Sequence, residues 1–169
     1  MFRKMRRNRQ QLSDERCISI LNRGSSGVLA VIGDEDYPYA VPLSYVYYDS
    51  KIYFHSAKSG HKTDAIAKNS KASFCVIDCD TVVPEKFTTC YRSVIVFGRI
   101  RILDNEEEKR AAIVRIAEKY SPQLKEQSLQ EIEREYDRFC MAELKIEHMT
   151  GKESIELVKE NKTETPKHS

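Results

Sequence analysis

The sequence has no apolar run close to the roughly 18 residues that a transmembrane helix requires, and no signal-peptide core follows its N-terminus. Its 28 lysines and arginines nearly balance its 26 acidic residues, which leaves a net charge of +2. So small an excess does not call for a nucleic-acid partner. These absences argue against a helical membrane protein, and the expected location is the cytoplasm.

A disulfide framework is also missing. The five cysteines, Cys17, Cys75, Cys79, Cys90 and Cys140, are odd in number and scattered along the chain. This pattern favours reduced thiols over secreted disulfides. Cys75 and Cys79 lie in a strand-like run, where residues four apart are separated by roughly 13 Å, too far to share one metal ion. We therefore predict no metal site.

The sequence also lacks a Gly-rich dinucleotide motif, an internal repeat and an obvious catalytic acid–base pair. Its 169 residues are close to the usual size of one domain. We predict this domain over residues 12–155. A basic arm precedes it at residues 1–11, and a charged tail at 156–169, predicted to be disordered, follows it.

Closely spaced strand-like runs dominate the predicted domain. A first helix begins after the N-cap Ser13 and ends at Gly24, and the runs "GVLAVIG", "YAVPLSYVYY" and "KIYFHS" follow. The short connections predict an antiparallel meander, with a two-residue turn at Asp49-Ser50 and Pro42 at an edge or bulge. Further strands are "KASFCVID", "YRSVIVFGRIRIL" and "CMAELKIEHM", with two helices between the last two. The expected fold is mainly β: a closed or partly open antiparallel barrel with peripheral helices.

The basic arm "MFRKMRRNRQ" has five cations before the first acidic residue. Such a run can bind phosphate or nucleic acid, or can resemble a transit peptide. It can equally be a solvated surface segment, which is the common fate of short charge runs.

The stretch "YFHSAKSGHKTDAI" changes from strand to helix at a corner that contains Gly60. A glycine at this point lets backbone N–H groups approach an anion, and the helix N-terminus adds partial positive charge. Lys58, His61 and Lys62 supply further donors. The corner therefore predicts a phosphate site, although a capped helix with two surface lysines would read the same way.

Four stretches in order, "YPYAVPLSY", "YFHSAKSGHKTDAI", "TTCYRSVIVFGR" and "MTGK", resemble the flavin-nucleotide-binding split barrels, the superfamily of pyridoxamine 5′-phosphate oxidase. Within that superfamily the chain looks most like the 5-nitroimidazole-resistance (Nim) branch. The resemblance implies an antiparallel Greek-key split barrel, a homodimer and FMN bound at the subunit boundary.

The resemblance also implies which residues bind the flavin. It points to a strand beside the ring and ribityl chain, a phosphate-binding segment, and a third segment near the ring. The implied residues are Tyr39, Val41, Pro42, Leu43 and Ser44; His55, Ser56, Gly60, His61 and Lys62; and Tyr91, Arg92 and Ser93. Tyr39 and His61 stand where oxidases of pyridoxamine phosphate usually have arginine, and no C-terminal motif with arginine and tryptophan is found. We therefore do not expect vitamin B6 oxidation.

The implied activity is that of an oxidoreductase that uses a small electron donor and reduces a small acceptor such as a nitroimidazole. His55 and Ser93 are the candidates for positions beside the reacting edge of the ring. His55 also allows a hydrogen-bonded structural role or, as in related haem-binding split barrels, an axial ligand to haem. A non-catalytic flavin- or haem-binding sensor or carrier is the alternative function, and a nucleic-acid-associated protein ranks below both.

Overall fold

A computed structural model describes residues 1–164, and the side chains of residues 1–159. Seven strands form one antiparallel sheet in the order β2-β1-β5-β6-β7-β4-β3. The strands are β1 (Gly27–Ile32), β2 (Pro38–Leu43), β3 (Val46–Tyr48), β4 (Lys51–Ala57), β5 (Lys71–Val83), β6 (Thr88–Ile102) and β7 (Phe139–Glu153). The predicted mainly β class is confirmed. Over the described residues the sheet is not closed, because β2 and β3 lie at its two edges.

Local signals place several of these elements. Asp49 and Ser50 both adopt left-handed φ angles, 50° and 57°, in the tight turn that joins β3 to β4. Pro42 lies in the edge strand β2, as its missing N–H predicts.

The predicted meander is wrong within the run "YAVPLSYVYY", which forms two strands, β2 and β3, at opposite edges of the sheet and not one continuous strand. Tyr45, between these strands, is fully buried. Its backbone N–H donates to the Tyr120 hydroxyl, and that hydroxyl donates to the Tyr45 carbonyl, both at 2.9 Å. The Tyr120 side chain of α3 thus provides hydrogen-bond partners for the Tyr45 backbone N–H and carbonyl. Beyond Tyr45, the chain continues as β3 at the far edge of the sheet.

Within residues 1–164, five α-helices accompany the sheet: α1 (Asp14–Arg23), α2 (His61–Lys68), α3 (Glu106–Tyr120), α4 (Lys125–Glu135) and α5 (Ile155–Glu164). The Ser13 hydroxyl caps α1, and the Asn105 side chain caps α3. The main core packs sheet residues such as Phe54, Phe74 and Val96 against α1 and α2. A second apolar cluster lies between α3, α4 and Met141 of β7. None of the helices in the described ranges is long and apolar enough to cross a membrane.

The C-terminal region differs from the predicted tail over residues 156–164, which continue as α5. Leu157 and Val158 are half-buried there, so the segment has the apolar contacts that a solvated tail would lack. Residues 165–169 of the predicted tail lie outside the described residues.

Candidate functional site

The strand-to-helix corner between β4 and α2, which the sequence predicts as a phosphate site, has an open helix start. Gly60 occupies the N-cap position with φ 127° and ψ 174°, and no side chain caps the helix there. A Cβ built on Gly60 would meet no atom within 4 Å. The backbone therefore presents the start of α2 to open space, in a conformation that only glycine adopts without strain. We refer to residues 55–62 as the α2 corner.

Positive charge accumulates at the α2 corner. Within the described residues, neither Lys58 nor Lys62 forms an ion pair, because the paired acidic side chains all bind other cations. The Lys62 ammonium lies 5.7 Å from the centroid of the Phe54 ring, which supports its stem. Two unpaired lysines at an uncapped helix start favour an anion.

His55 belongs to the same cluster. Burial lowers the pKa of its imidazole below the ordinary value, and the nearby Lys62 cation lowers it further. The ring packs edge-on against Phe139 of β7, with centroids 6.3 Å apart. His55 is therefore neutral at neutral pH and can both donate and accept a hydrogen bond. Ser56, its neighbour on β4, is half-buried opposite Cys140.

His61 contacts a different part of the molecule. Its Nε2 accepts a hydrogen bond from the backbone N–H of Asp34 at 3.3 Å and lies 3.7 Å from the Asp34 carboxylate. Its ring stacks on Tyr39 with a centroid distance of 4.2 Å. The structure thus brings two predicted site residues, Tyr39 and His61, into contact, and their pairing fixes α2 against the β1–β2 turn.

The predicted flavin-ring strand, β2, presents two faces. Tyr39, Val41 and Leu43 pack against the main core, whereas Pro42 and Ser44 are exposed. Of these five residues, only Pro42 and Ser44, together with the backbone of this edge strand, are available to a ligand on the outer face of the sheet.

The third predicted segment lies on the central strand β6, which β7 separates from β4. Arg92 donates through Nε to Glu153 at 3.0 Å and through Nη1 to Asp78 at 3.2 Å. Ser93 pairs with Ile77 and Lys152 on the neighbouring strands. Tyr91 lies under the Lys152 ammonium, 5.1 Å from its ring centroid. The Arg92 guanidinium is thus occupied by two carboxylates, and none of the three residues reaches the α2 corner within one chain.

Sequence reasoning missed a groove of about 560 Å³ beside the α2 corner. Lys58 and Ser59 line it from the corner, and Lys109, Phe139 and Cys140 line it from the other side. Lys109 is buried, donates to the Tyr136 carbonyl at 3.0 Å and lies 3.8 Å from the Tyr136 ring centroid. The sequence does indicate that Lys109 is buried, because it lies on the apolar stripe of α3, four residues before Ile113. No sequence pattern indicates that Cys140 lines the groove, because its place depends on the register between β4 and β7.

The donor set of the α2 corner suits a phosphate ester and not a cation. No group of three or more potential metal ligands exists in the part of the chain that the structure describes. The corner instead combines two lysines, a neutral histidine and a free helix start. Such a set can bind and orient an anion, but it contains no carboxylate to act as a general base.

Comparison with known proteins gives a consistent picture. The family model described as pyridoxamine 5′-phosphate oxidase matches residues 13–153. No curated protein matches the chain significantly. Among solved structures, the chain is similar to a proposed 5-nitroimidazole antibiotic resistance protein from Bacteroides thetaiotaomicron. The two share 20% identity over 84% of this chain and 85% of the other, with a TM-score of 0.69.

Two further structures share the fold. An FAD-binding protein from Mesorhizobium loti is 22% identical over 86% of this chain and 97% of its own, with a TM-score of 0.60. An FAD- and haem-binding protein from Mycobacterium smegmatis is 17% identical over 86% of this chain and 74% of its own, with a TM-score of 0.70. At these identities the likeness is one of fold.

Proposed function

The chain belongs to the pyridoxamine 5′-phosphate oxidase family, and from that premise we propose that it is an FMN-binding flavoprotein whose α2 corner holds the flavin phosphate. The observation that carries the proposal is the pair of unpaired lysines at the uncapped start of α2. Lys62 and Lys58 neutralise the phosphate, and the backbone N–H groups after Gly60 donate to its oxygens. The names of the structurally similar proteins, which mention FAD, support a flavin as the ligand.

The outer face of the sheet supports a second part of the proposal, a homodimer. Four large apolar side chains are exposed on this face: Ile32, Ile77, Ile95 and Phe97. Ile95 and Phe97 lie in register with Cys75 and Ser73 on β5, so the patch extends across neighbouring strands. A second copy, paired about a two-fold axis, covers such a patch and brings its own Ser93 towards the α2 corner of the first.

Within this arrangement the residues of the chain bind and orient the flavin and the acceptor, and none of them acts as a nucleophile. A bound flavin supplies two-electron redox chemistry. His55, neutral and exposed at the end of β4, donates to or accepts from the flavin or a bound acceptor, and Ser93 does the same at the ring. The proposed reaction is reduction of a small acceptor such as a nitroaromatic, which the name of the Bacteroides protein supports.

A second candidate function is a flavin- or haem-binding carrier or sensor. The neutral state of His55 favours it, because a neutral imidazole is the form that ligates haem iron. The name of the Mycobacterium smegmatis protein, which mentions both FAD and haem, also supports this candidate.

One set of titrations tests the proposal. FMN, FAD and haemin are added separately to the apoprotein, with flavin fluorescence and the haem absorbance as readouts, and light scattering gives the mass of the complex. We expect FMN to bind at one per chain in a particle of twice the chain mass. Failure of both flavins to bind would contradict the flavoprotein proposal, and a flavin-bound monomer would contradict only the dimer.

A kinetic test separates enzyme from carrier. The bound flavin is reduced without oxygen, a nitroimidazole or a quinone is added, and reoxidation is followed. We expect the protein to accelerate reoxidation over free FMN. Reoxidation no faster than that of free FMN with every acceptor would favour the carrier function.

A further inference from the structure

The groove beside the α2 corner continues from the proposed phosphate site along α2 towards α3. Lys58 and Ser59 belong both to the corner and to this groove, so the two share a boundary. The groove measures about 560 Å³, within the range of roughly 300–1,000 Å³ that is usual for small-molecule sites. A ligand that ended at its phosphate would not extend into it. We call this space the corner groove.

A buried cation without a counter-ion lies in the wall of the corner groove. Lys109 is 7% exposed, and its ammonium donates to the Tyr136 carbonyl at 3.0 Å. Among the side chains of residues 1–159, no acidic group forms an ion pair with it. Buried charges are normally paired. Uncompensated positive charge therefore remains in this wall.

The charges of three lysines act together at one point of the wall, the Cys140 thiol. Burial raises the pKa of this thiol, whereas a backbone hydrogen bond and the charges of Lys62, Lys109 and Lys58 oppose the rise. Lys58 and Lys62 belong to the α2 corner, and Lys109 lies on α3. The positive charge thus extends from the corner into the groove, which favours a second anionic group next to the first.

The rest of the corner groove offers hydrogen-bond acceptors and apolar surface. Three carboxylates line it, none of them in an ion pair within the described residues: Asp64, Asp104 and Glu106. Its apolar lining residues include Ile102, Leu103 and Phe139. Carboxylates accept hydrogen bonds from hydroxyl and amino groups, and apolar side chains pack against flat rings. An anionic group that carries hydroxyls and an amino-bearing ring is an adenosine phosphate.

We propose that the corner groove binds the adenylate half of FAD, so that the flavin site takes the dinucleotide as well as FMN. This inference rests on the proposed function, because it extends the phosphate site of the α2 corner. The flavin-side phosphate stays at the corner, and the second phosphate enters the groove where the Lys109 charge acts. That charge acts through space, so the ligand does not need to reach the buried ammonium. The ribose hydroxyls and the adenine amino group donate to the groove carboxylates.

The test compares the two flavins on the full chain. FMN and FAD are titrated separately into the apoprotein by calorimetry, and we expect FAD to bind at least as tightly as FMN. Ala67→Trp places an indole in the groove from an exposed position on α2. It should weaken FAD binding by about tenfold and leave FMN binding unchanged, because only FAD loses contacts in the groove. Ala111→Trp, at an exposed alanine of α3 that does not line the groove, is the matched control.

AMP identifies which nucleotide the groove accepts. In millimolar excess, AMP should raise the apparent dissociation constant of FAD and leave that of FMN unchanged, because FMN does not enter the groove. AMP that competes equally with both flavins would show that it binds at the α2 corner, and would contradict the assignment. Tight binding of AMP to the FMN-loaded protein, together with weak binding of FAD, would assign the groove to a separate adenine nucleotide and overturn the FAD proposal.

The titrations also separate this inference from the proposed function. FMN binding with FAD at least tenfold weaker would mean that the site ends at the phosphate, which overturns the inference and leaves the flavoprotein proposal intact. Equal weakening of both flavins by Ala67→Trp would likewise remove the groove from the site. Failure of both flavins to bind would contradict the proposed function, and the inference that rests on it would fall as well.

Discussion

His55 and Ser93 flank the same strand, β7, at positions eleven residues apart: His55 pairs with Met141, and Ser93 pairs with Lys152. Eleven residues of strand span about 36 Å along the chain. The pairing thus puts the two residues near opposite ends of β7, and we expect them not to contact one flavin ring within a single protomer. On that expectation, a site that uses both residues takes His55 from one chain and Ser93 from another.

This relationship predicts the behaviour of mixed dimers. In a dimer that pairs a His55→Ala chain with a Ser93→Ala chain, one site carries both changes and the other carries neither. We expect the purified heterodimer to recover about half of the wild-type rate of flavin reoxidation, because symmetric sites divide their residues in this way. Each homodimeric variant serves as its own control. A heterodimer as slow as both parents would show that each site is built within one chain.

Lys62→Ala should weaken FMN binding. A charge-assisted contact to a phosphate is worth about 1.5–3 kcal/mol, or roughly ten- to a hundredfold in the dissociation constant. Lys68→Ala is the matched control, because Lys68 lies in the last turn of the same helix and pairs with Asp34 at 3.2 Å. Fluorescence titration of the apoproteins measures both constants. Equal affinities for the two variants would remove Lys62 from the site.

His55 should titrate below its ordinary value of about 6.5. Burial lowers its pKa first and the Lys62 cation second, so Lys62→Met should raise that pKa without changing the burial of the ring. Because the folded pKa is the lower one, the unfolded chain binds this proton more readily. The free energy of unfolding therefore falls as the pH decreases from the unfolded value to the folded one. NMR titration of the His55 ring measures the shift, and an identical midpoint in Lys62→Met would contradict the coupling.

Gly60→Ala should destabilise the α2 corner through the backbone alone. Open space surrounds the position, so the added methyl group meets no neighbour, but φ 127° is strained for any residue with a Cβ. We expect a loss of about 1–3 kcal/mol in the free energy of unfolding, measured by urea denaturation. Ser59→Ala, on an exposed neighbour without a positive φ, should change it little. An equally small effect of both substitutions would contradict the strain.

Arg92→Leu should cost stability and leave flavin binding unchanged. Burial alone would raise the pKa of Glu153, but hydrogen bonds from Arg16 and Arg92 outweigh it, and the pKa is lowered. Removing one partner of a buried pair costs roughly 3–5 kcal/mol, and we expect about 2–3 because Arg16 still binds Glu153. Arg138→Leu is the exposed control. Weaker FMN binding at unchanged stability would return Arg92 to the cofactor site, where the family resemblance put it.

The sequence was most informative where one residue decides the backbone locally. The Ser13 cap, the turn at Asp49-Ser50 and the edge position of Pro42 all depend on such residues. The α2 corner was predicted for the same reason, since Gly60 directly follows a strand pattern and precedes a helical one.

What the sequence could not show depends on strand register. The Tyr45 backbone bonds to Tyr120, 75 residues away, and this sends β3 to the far edge of the sheet. Arg92 reaches Asp78 and Glu153 because β6 lies between β5 and β7, with a register shift near Asp78. No local pattern predicts such pairings. The flavin-binding role that the family resemblance implies for Arg92 stays a prediction, and the Arg92→Leu variant tests it.

The absorption spectrum of the protein as purified tests the central claim most directly. If the chain is a flavoprotein, the spectrum shows the two visible bands of oxidised flavin, and acid-released FMN amounts to one molecule per chain. A colourless protein that does not bind added FMN, or one with only a haem Soret band, would contradict the account.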